Sequence, residues 1–189
     1  LEELGYHVRM QILNTKDYGI PQNRERLWIF AYLGELPKRF NMVPNIIPEQ
    51  ERPRLSAFLD KTPLEDVYLK PSQVEHFIDV HTKHGFKEWI VNEPLCFDVY
   101  NHKMKKNAIT NTLTEPSHNI TRIVEPPLED GTIRVRKLSI YEQFRLMGFE
   151  DGEIVFPDDL NYSQISARAG NGWDVHLVGL LLKHIFDQL

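Results

Sequence analysis

The sequence predicts an α/β fold in two structural units, and three observations carry that reading. Strand-like apolar patterns open the chain at Tyr6–Leu13 and Arg26–Leu33. A broad apolar stripe at helical spacing closes it at about Asp174–Gln188. Between them lies a stretch of short strand candidates entered through a proline-rich segment. Short runs of period two mixed with runs of period 3.6 are the signature of strands and helices sharing a core.

The first unit begins with YHVRMQIL, whose alternation fits a strand. Asp17-Tyr18-Gly19-Ile20-Pro21 is a turn, because Gly tolerates positive φ and the residue before Pro is driven to extended geometry. Arg26–Leu33 is continuously apolar after its first residue and reads as a strand buried on both faces. Pro37, Pro44, Pro48 and Pro53 then mark Glu35–Pro53 as a linker leaving this unit.

In the second unit, Ser56–Asp60 reads as a short helical or turn segment. Pro71–Val80 has helical spacing at Val74, Phe77 and Ile78, with Ser72 as candidate N-cap. Lys87–Val91, Cys96–Val99 and Ala108–Leu113 read as short strands. Ser139-Ile140-Tyr141-Glu142 has the form of a capping box, followed by Ile140, Phe144 and Met147 on one helical side and a stop at Gly148. Leu177, Val178, Leu181, Leu182, Ile185 and Phe186 stripe the last helix. Gly170-Asn171-Gly172-Trp173 precedes it as a small-residue loop, with Asn171 as candidate cap and Trp173 as a cover for a flat ring.

The formal net charge is −5, which opposes indiscriminate binding to polyanions. The charge is uneven: Asn101–Arg145 holds eight basic and five acidic residues. A locally basic segment on an acidic chain points to a confined anionic partner. One cysteine, Cys96, excludes internal disulfides, fits a reducing compartment and reads as a small core residue. No apolar run reaches the length that spans a bilayer. The histidines, His76, His81 and His84 among them, lack metal-ligand spacing, so no metal is expected.

Three places carry chemistry. Arg24 and Arg26 stand two apart on a strand, hence on one face, beside a Gly-Pro turn. Such a position is the rim of a sheet, where α/β folds bind ligands, and guanidinium forks suit carbonyl, carboxylate or phosphate oxygens. A structural Arg–Glu pair capping the strand end fits the same residues. The Gly-Asn-Gly loop offers amides at a helix N-terminus, suited to a carboxylate, and a plain capping turn fits it too. Lys103, Lys105 and Lys106, with Thr112-Leu113-Thr114, suit phosphates; a solvated charge run is the other reading.

Taken in order, these segments resemble the C-terminal half of C5-cytosine DNA methyltransferases. Asp17–Arg26, containing Gln22, Arg24 and Arg26, resembles the family's Gln-x-Arg-x-Arg motif VIII. Arg136-Lys137-Leu138-Ser139, with Glu142, Arg145, Leu146, Gly148 and Phe149, resembles motif IX, and Tyr162–Val175 resembles motif X. The residues between motifs VIII and IX take the place of the family's target-recognition region, where Thr112-Leu113 resembles its Thr-Leu pair.

The resemblance implies a Rossmann-like catalytic domain supplying residues 1–35 and 162–189, around a small mixed, β-rich target-recognition domain over 36–161. It implies methyl transfer from S-adenosylmethionine to C5 of a cytosine flipped out of double-stranded DNA. Arg26 would donate to cytosine O2, and Arg24 would steady the nucleophile's surroundings. Asn171, Gly172 and Trp173 would face the cofactor. Thr112 and Leu113 would lie near the flipped nucleotide, and Lys103, Lys105, Lys106 and Arg136 would hold DNA. A bacterial or phage origin, a cytoplasmic setting and a restriction-modification role are implied likewise.

The family's Phe-x-Gly-x-Gly, Pro-Cys and Glu-Asn-Val segments do not occur in this sequence, and motif X has Asn-Gly-Trp where Asn-Ser-Val is commoner. The expectation is therefore a split subunit or a truncated piece, inactive without an N-terminal half that carries the Pro-Cys nucleophile. The alternative is a non-catalytic, sequence-specific DNA-binding module.

Overall fold

The computed structural model describes residues 1–115 and 121–189. The opening alternation produces β1 (His7–Asn14) and β2 (Glu25–Tyr32), antiparallel from His7↔Tyr32 to Asn14↔Glu25. A 3-10 turn at Thr15–Tyr18 and Gly19, at φ 104°, connect them. The Asn14 side chain holds this turn, accepting from the amides of Lys16 (3.3 Å) and Arg24 (3.1 Å) and donating to Asn23 Oδ1 (2.8 Å).

The expected two-sided burial of Arg26–Leu33 does not occur. One face of the ribbon packs Leu13, Trp28 and Phe30 against the last helix. The other leaves Met10, Ile12, Leu27 and Ile29 each about 60% exposed. Two strands with one helix form two layers, so only one face of the ribbon is covered.

The proline-rich stretch has no α-helix or strand. It folds back on the first unit, placing Met42 and Val43 against the last helix and the Ile47 amide on the Asp17 carbonyl (3.0 Å). Helix α1 (Pro71–Lys83) begins with Pro at N1. Its N-cap is Lys70, not Ser72: the Gln73 side chain reaches back to the Lys70 amide (2.9 Å).

A four-stranded antiparallel sheet, order β4-β3-β5-β6, makes the second core. It comprises β3 (Leu95–Asp98), β4 (Lys103–Met104), β5 (Thr121–Val124) and β6 (Val135–Arg136). Phe77, Phe86 and Trp89 surround Phe97 at 5.1–5.3 Å between centroids, a dense aromatic contact set.

Two predicted strands are absent. Lys87–Val91 is irregular, because Trp89 and Val91 are buried singly rather than through a ladder. Ala108–Leu113 has only an isolated parallel bridge, Gln22↔Thr110, with Ala108 at φ 52°. The strands β4, β5 and β6 were not predicted.

The capping box is present: Glu142 N–H donates to Ser139 Oγ (3.2 Å), and Ser139 N–H to Glu142 Oε2 (2.7 Å). It opens α2 (Ile140–Arg145), and Gly148 at φ 86° closes the turn that follows. Glu142 also receives the Arg136 guanidinium through two bonds of 2.8 and 2.9 Å, with both residues buried. Helix α3 (Tyr162–Asn171) starts on a second box, Asn161 with Gln164, and packs on α2 through Tyr162 and Ser166, both bonded to Gln143. Helix α4 (Val175–Phe186) is capped by Asp174, whose Oδ1 accepts from the Leu177 amide (3.1 Å).

Two predictions follow for stability. Glu142→Ala leaves the Arg136 cation buried with one fewer partner and removes the reciprocal half of the capping box, the bond from the Ser139 amide. Urea unfolding should register a loss of about 3–5 kcal/mol.

The second concerns His81, which is 3% exposed and has its Nδ1 2.6 Å from that of His102. Burial, with the charges of His102 and His84, brings its pKa down to about 4. The folded state thus prefers neutral His81. That preference contributes fully above the unfolded value of about 6.5 and is lost as pH falls from there towards 4. At about pH 5.5 the loss should be roughly 1 kcal/mol relative to pH 7.5, and His81→Gln should flatten this part of the profile.

Candidate functional site

The turn after β1 delivers Asn23, Arg24, Glu25 and Arg26 to the end of the ribbon beside α4. There the Arg24 guanidinium is buried, with backbone carbonyls as partners. Nη1 donates to Leu113 (3.1 Å), and Nη2 to Gly170 (3.2 Å) and Gly172 (2.7 Å). Burial, then the neighbouring Arg26 charge, brings its pKa down to about 10 against the pull of Asp174. It stays protonated at neutral pH, and its charge is solvated by peptide dipoles rather than cancelled by an acid.

Two features let these segments meet. A Cβ at Gly170 would lie 2.5 Å from the Thr114 carbonyl carbon, so only glycine allows this approach of α3 to the Leu113–Thr114 backbone. Gln22, fully buried, accepts from the Leu113 amide (2.9 Å) and donates to the Leu146 carbonyl (2.6 Å). It links the arginine segment to the middle region and to the end of α2.

In front of Arg24 is a cleft of about 470 Å³. Arg26, Trp28 and Ile29 form one wall, and Asn171, Trp173 and Asp174 the other. Arg26 is exposed and, among the described residues, its side chain bonds only the Glu25 carbonyl (2.7 Å). Trp28 and Trp173 meet edge to face at 5.8 Å, with Trp173 69% exposed. Trp28 Nε1 is buried with no partner among the described residues. Burial raises the Asp174 carboxyl above its ordinary value, opposed by the Leu177 amide.

The predicted residues thus divide. Arg24, Arg26, Asn171, Gly172 and Trp173 come together at the cleft, and Leu113 reaches it through Arg24. The glycine-asparagine segment differs from expectation. Gly170 and Asn171 are the end of α3, and the carbonyls of Gly170 and Gly172 turn towards Arg24 where amides facing an anion were expected. The cap of α4 is Asp174, not Asn171, whose Nδ2 donates to Glu115 (2.9 Å). The chain's own carboxylate therefore fills the helix N-terminus predicted to receive a ligand's.

Arg136 is not a DNA contact. At 1% exposure its guanidinium is enclosed by Glu142 and Glu125, the latter at 2.6 Å, and cannot reach a phosphate. Thr112 Oγ1 donates to the Asn23 carbonyl (2.6 Å). Lys105 lies 3.8 Å from Asp98, Lys106 pairs with Glu88, and Lys103 is exposed; none lines the cleft. Gln22, Trp28 and Asp174 were not assigned beforehand. Gln22 lay within the quoted motif, and Asp174 stands where a cap belongs.

The family model for C-5 cytosine-specific DNA methylases matches residues 1–187. The chain belongs to that family. Among curated relatives, type II methyltransferase M.Bsp6I from Bacillus sp. (strain RFL6) is 27% identical across the whole chain, which covers 58% of that protein. M.HaeII from Haemophilus aegyptius is also 27% identical over the whole chain, covering 54% of its length. The chain thus spans about half the length of these methylases.

The fold agrees with the family. The crystal structure of S. pombe Dnmt2 methyltransferase matches 99% of this chain and 60% of its own, with TM-score 0.65 at 17% identity. A Spodoptera frugiperda DNMT2 mutant matches 98% and 60%, with TM-score 0.66 at 16% identity. No helix among the described residues is long and apolar enough to cross a membrane.

The arrangement makes Arg24 a tie between segments, which yields a prediction. Arg24→Met keeps the bulk but leaves three carbonyls without their donor. The variant should lose about 2–4 kcal/mol in urea unfolding. Tryptophan fluorescence should also show Trp28 and Trp173 losing their fixed environment before global unfolding.

Proposed function

We propose that this chain is the target-recognition and arginine-bearing part of a DNA (cytosine-5-)-methyltransferase. It would act with polypeptide carrying the Pro-Cys nucleophile on a cytosine extruded from a specific double-stranded site. The division between the two arginines carries this reading: Arg24 is committed to the chain's own carbonyls, while Arg26 is exposed at the cleft with no acid partner among the described residues. A fixed, unneutralised guanidinium suits an oxygen on which charge accumulates during reaction. Nucleophilic attack at C6 drives electron density onto cytosine O2, and Arg26 is the donor for it. Arg24 positions the backbone behind it.

The sole cysteine does not serve as the nucleophile in this reading. Cys96 is fully buried, and burial pushes its thiol up to about 12, so the reactive thiolate is essentially absent at neutral pH. The uncovered ribbon face of Met10, Ile12, Leu27 and Ile29 supports a need for further polypeptide, since contiguous apolar faces of this kind mark interaction sites.

The cleft's size, its tryptophan pair and the adjacent Asp174 fit part of S-adenosylmethionine. When bound, this group supplies an electrophilic methyl. Trp28 and Trp173 would hold it through an aromatic wall beside its positive sulfur, and Asp174 would add a nearby acceptor. The helix N-terminus is excluded as a carboxylate site by Asp174 itself. The relatives are named as type II methyltransferases of bacteria, which supports a bacterial role in marking DNA within a restriction-modification system.

The test is reconstitution with a family N-terminal segment bearing Pro-Cys. This chain alone should transfer no methyl groups to DNA, and the pair should. In the pair, Arg26→Ala should reduce the single-turnover rate by about 10²–10³-fold while DNA affinity changes less than about threefold. Equal losses in rate and affinity would contradict the role given to Arg26.

A further inference from the structure

A second concave surface lies away from the arginine cleft, between α1 and the β3–β5 end of the second sheet. It encloses about 610 Å³. Its floor is apolar, with Phe77 and Val80, and its polar rim is Ser72, Gln73, His76 and His102 with Arg122. Among the described residues, no carboxylate lines it. That absence matters on a chain with net charge −5.

Arg122 is the central group. It follows the first residue of β5, opposite Phe97, and is half-buried. Nη1 donates to the Thr121 carbonyl (2.8 Å), and among the described residues no acid forms an ion pair with it. Burial lowers its pKa from the ordinary value, which records incomplete solvation of the cation. Arg136, on the neighbouring strand, has Glu125 and Glu142 for the same need. A desolvated guanidinium lacking such a partner attracts an anion from outside.

The histidines add to this. His81 and His102 share one hydrogen between Nδ1 atoms 2.6 Å apart, so one ring donates and the other accepts. Burial keeps His81 neutral, and His102 lines the cavity and stacks on His84 at 4.0 Å. His102 sits at φ 51°, a left-handed conformation held by this packing and by the Asp98–Asn101 bonds of the same turn. The rim is therefore a rigid set of donors facing an apolar floor that suits a sugar.

Position connects this surface to the first cleft. Glu115 bonds Asn171 on the cleft wall, and Thr121 begins β5. Six Cα–Cα steps separate Glu115 from Thr121, a span of no more than about 21 Å.

We propose that Arg122, with His102 and His76, forms a subsite for one phosphodiester of the DNA backbone, with the adjoining deoxyribose on Phe77 and Val80. This rests on the reading of the chain as a DNA-binding methyltransferase part. The test is a salt series of duplex DNA binding by the 189-residue chain. Arg122→Gln should weaken binding about fivefold and reduce the slope of log affinity against log salt by about one. Arg122→Lys should restore the slope.

Unchanged affinity and slope in R122Q would overturn the proposal. So would inorganic phosphate that shifts the Arg122 Nε–H resonance in NMR while R122Q binds DNA like the parent chain, since the anion site would then be unconnected to DNA. The two readings fail separately. Methyl transfer by the reconstituted pair with an unaltered R122Q salt slope removes the subsite and leaves the function. A lost slope with no methyl transfer leaves the subsite and removes the function.

Discussion

The arrangement of the candidate site depends on one cation dissolved in peptide. The Arg24 guanidinium takes carbonyls from Leu113, Gly170 and Gly172, which belong to two distant parts of the chain. A carboxylate in the same place would neutralise the charge and leave those carbonyls to find other donors. Neutral dipoles instead hold the charge in place and let its field extend into the cleft. Arg26, next to it and exposed, then works in a region already positive, which suits an oxygen that becomes negative during reaction.

That tie needs the backbones to approach closely, and the surrounding side chains are selected for it. Gly170 has no room for a methyl group against Thr114. Gln22 satisfies the Leu113 amide and the Leu146 carbonyl, two buried backbone groups where these segments meet. Asp174 caps α4 from the same corner. A cation, an amide and a carboxylate, each buried and each bonded, fix where the cleft opens relative to the second core.

How much of this was readable follows from the range of each interaction. The Ser139–Glu142 box was legible because both partners lie within one turn of each other. The stripe of α4 was legible because helix periodicity survives in a short window. Strands β5 and β6 were not, because their four and two residues are defined by partners rather than by local alternation. Helix α3 was missed because it ends on Gly170 and Asn171, a pair that continues into Gly172 and also describes a loop. The pairing of Arg24 and Arg26 was read from spacing. Their opposite fates, one buried and one exposed, depend on Gly170 and Leu113, far away in sequence.

The same reasoning explains why charge alone misassigned Arg136 and passed over Arg122. In sequence, both are single arginines in a basic segment. In the fold, the separating variable is the acid supply: Glu125 and Glu142 enclose Arg136, and no described acid reaches Arg122. Lys105 and Lys106 fall between, each with a carboxylate at hand. A cation already paired must surrender its partner before it can bind a phosphate, and that exchange gains little. A half-desolvated cation without one gains the whole interaction. Sorting basic residues by the acids that reach them, rather than by their density along the chain, therefore directs attention to Arg26 for the base and Arg122 for the backbone.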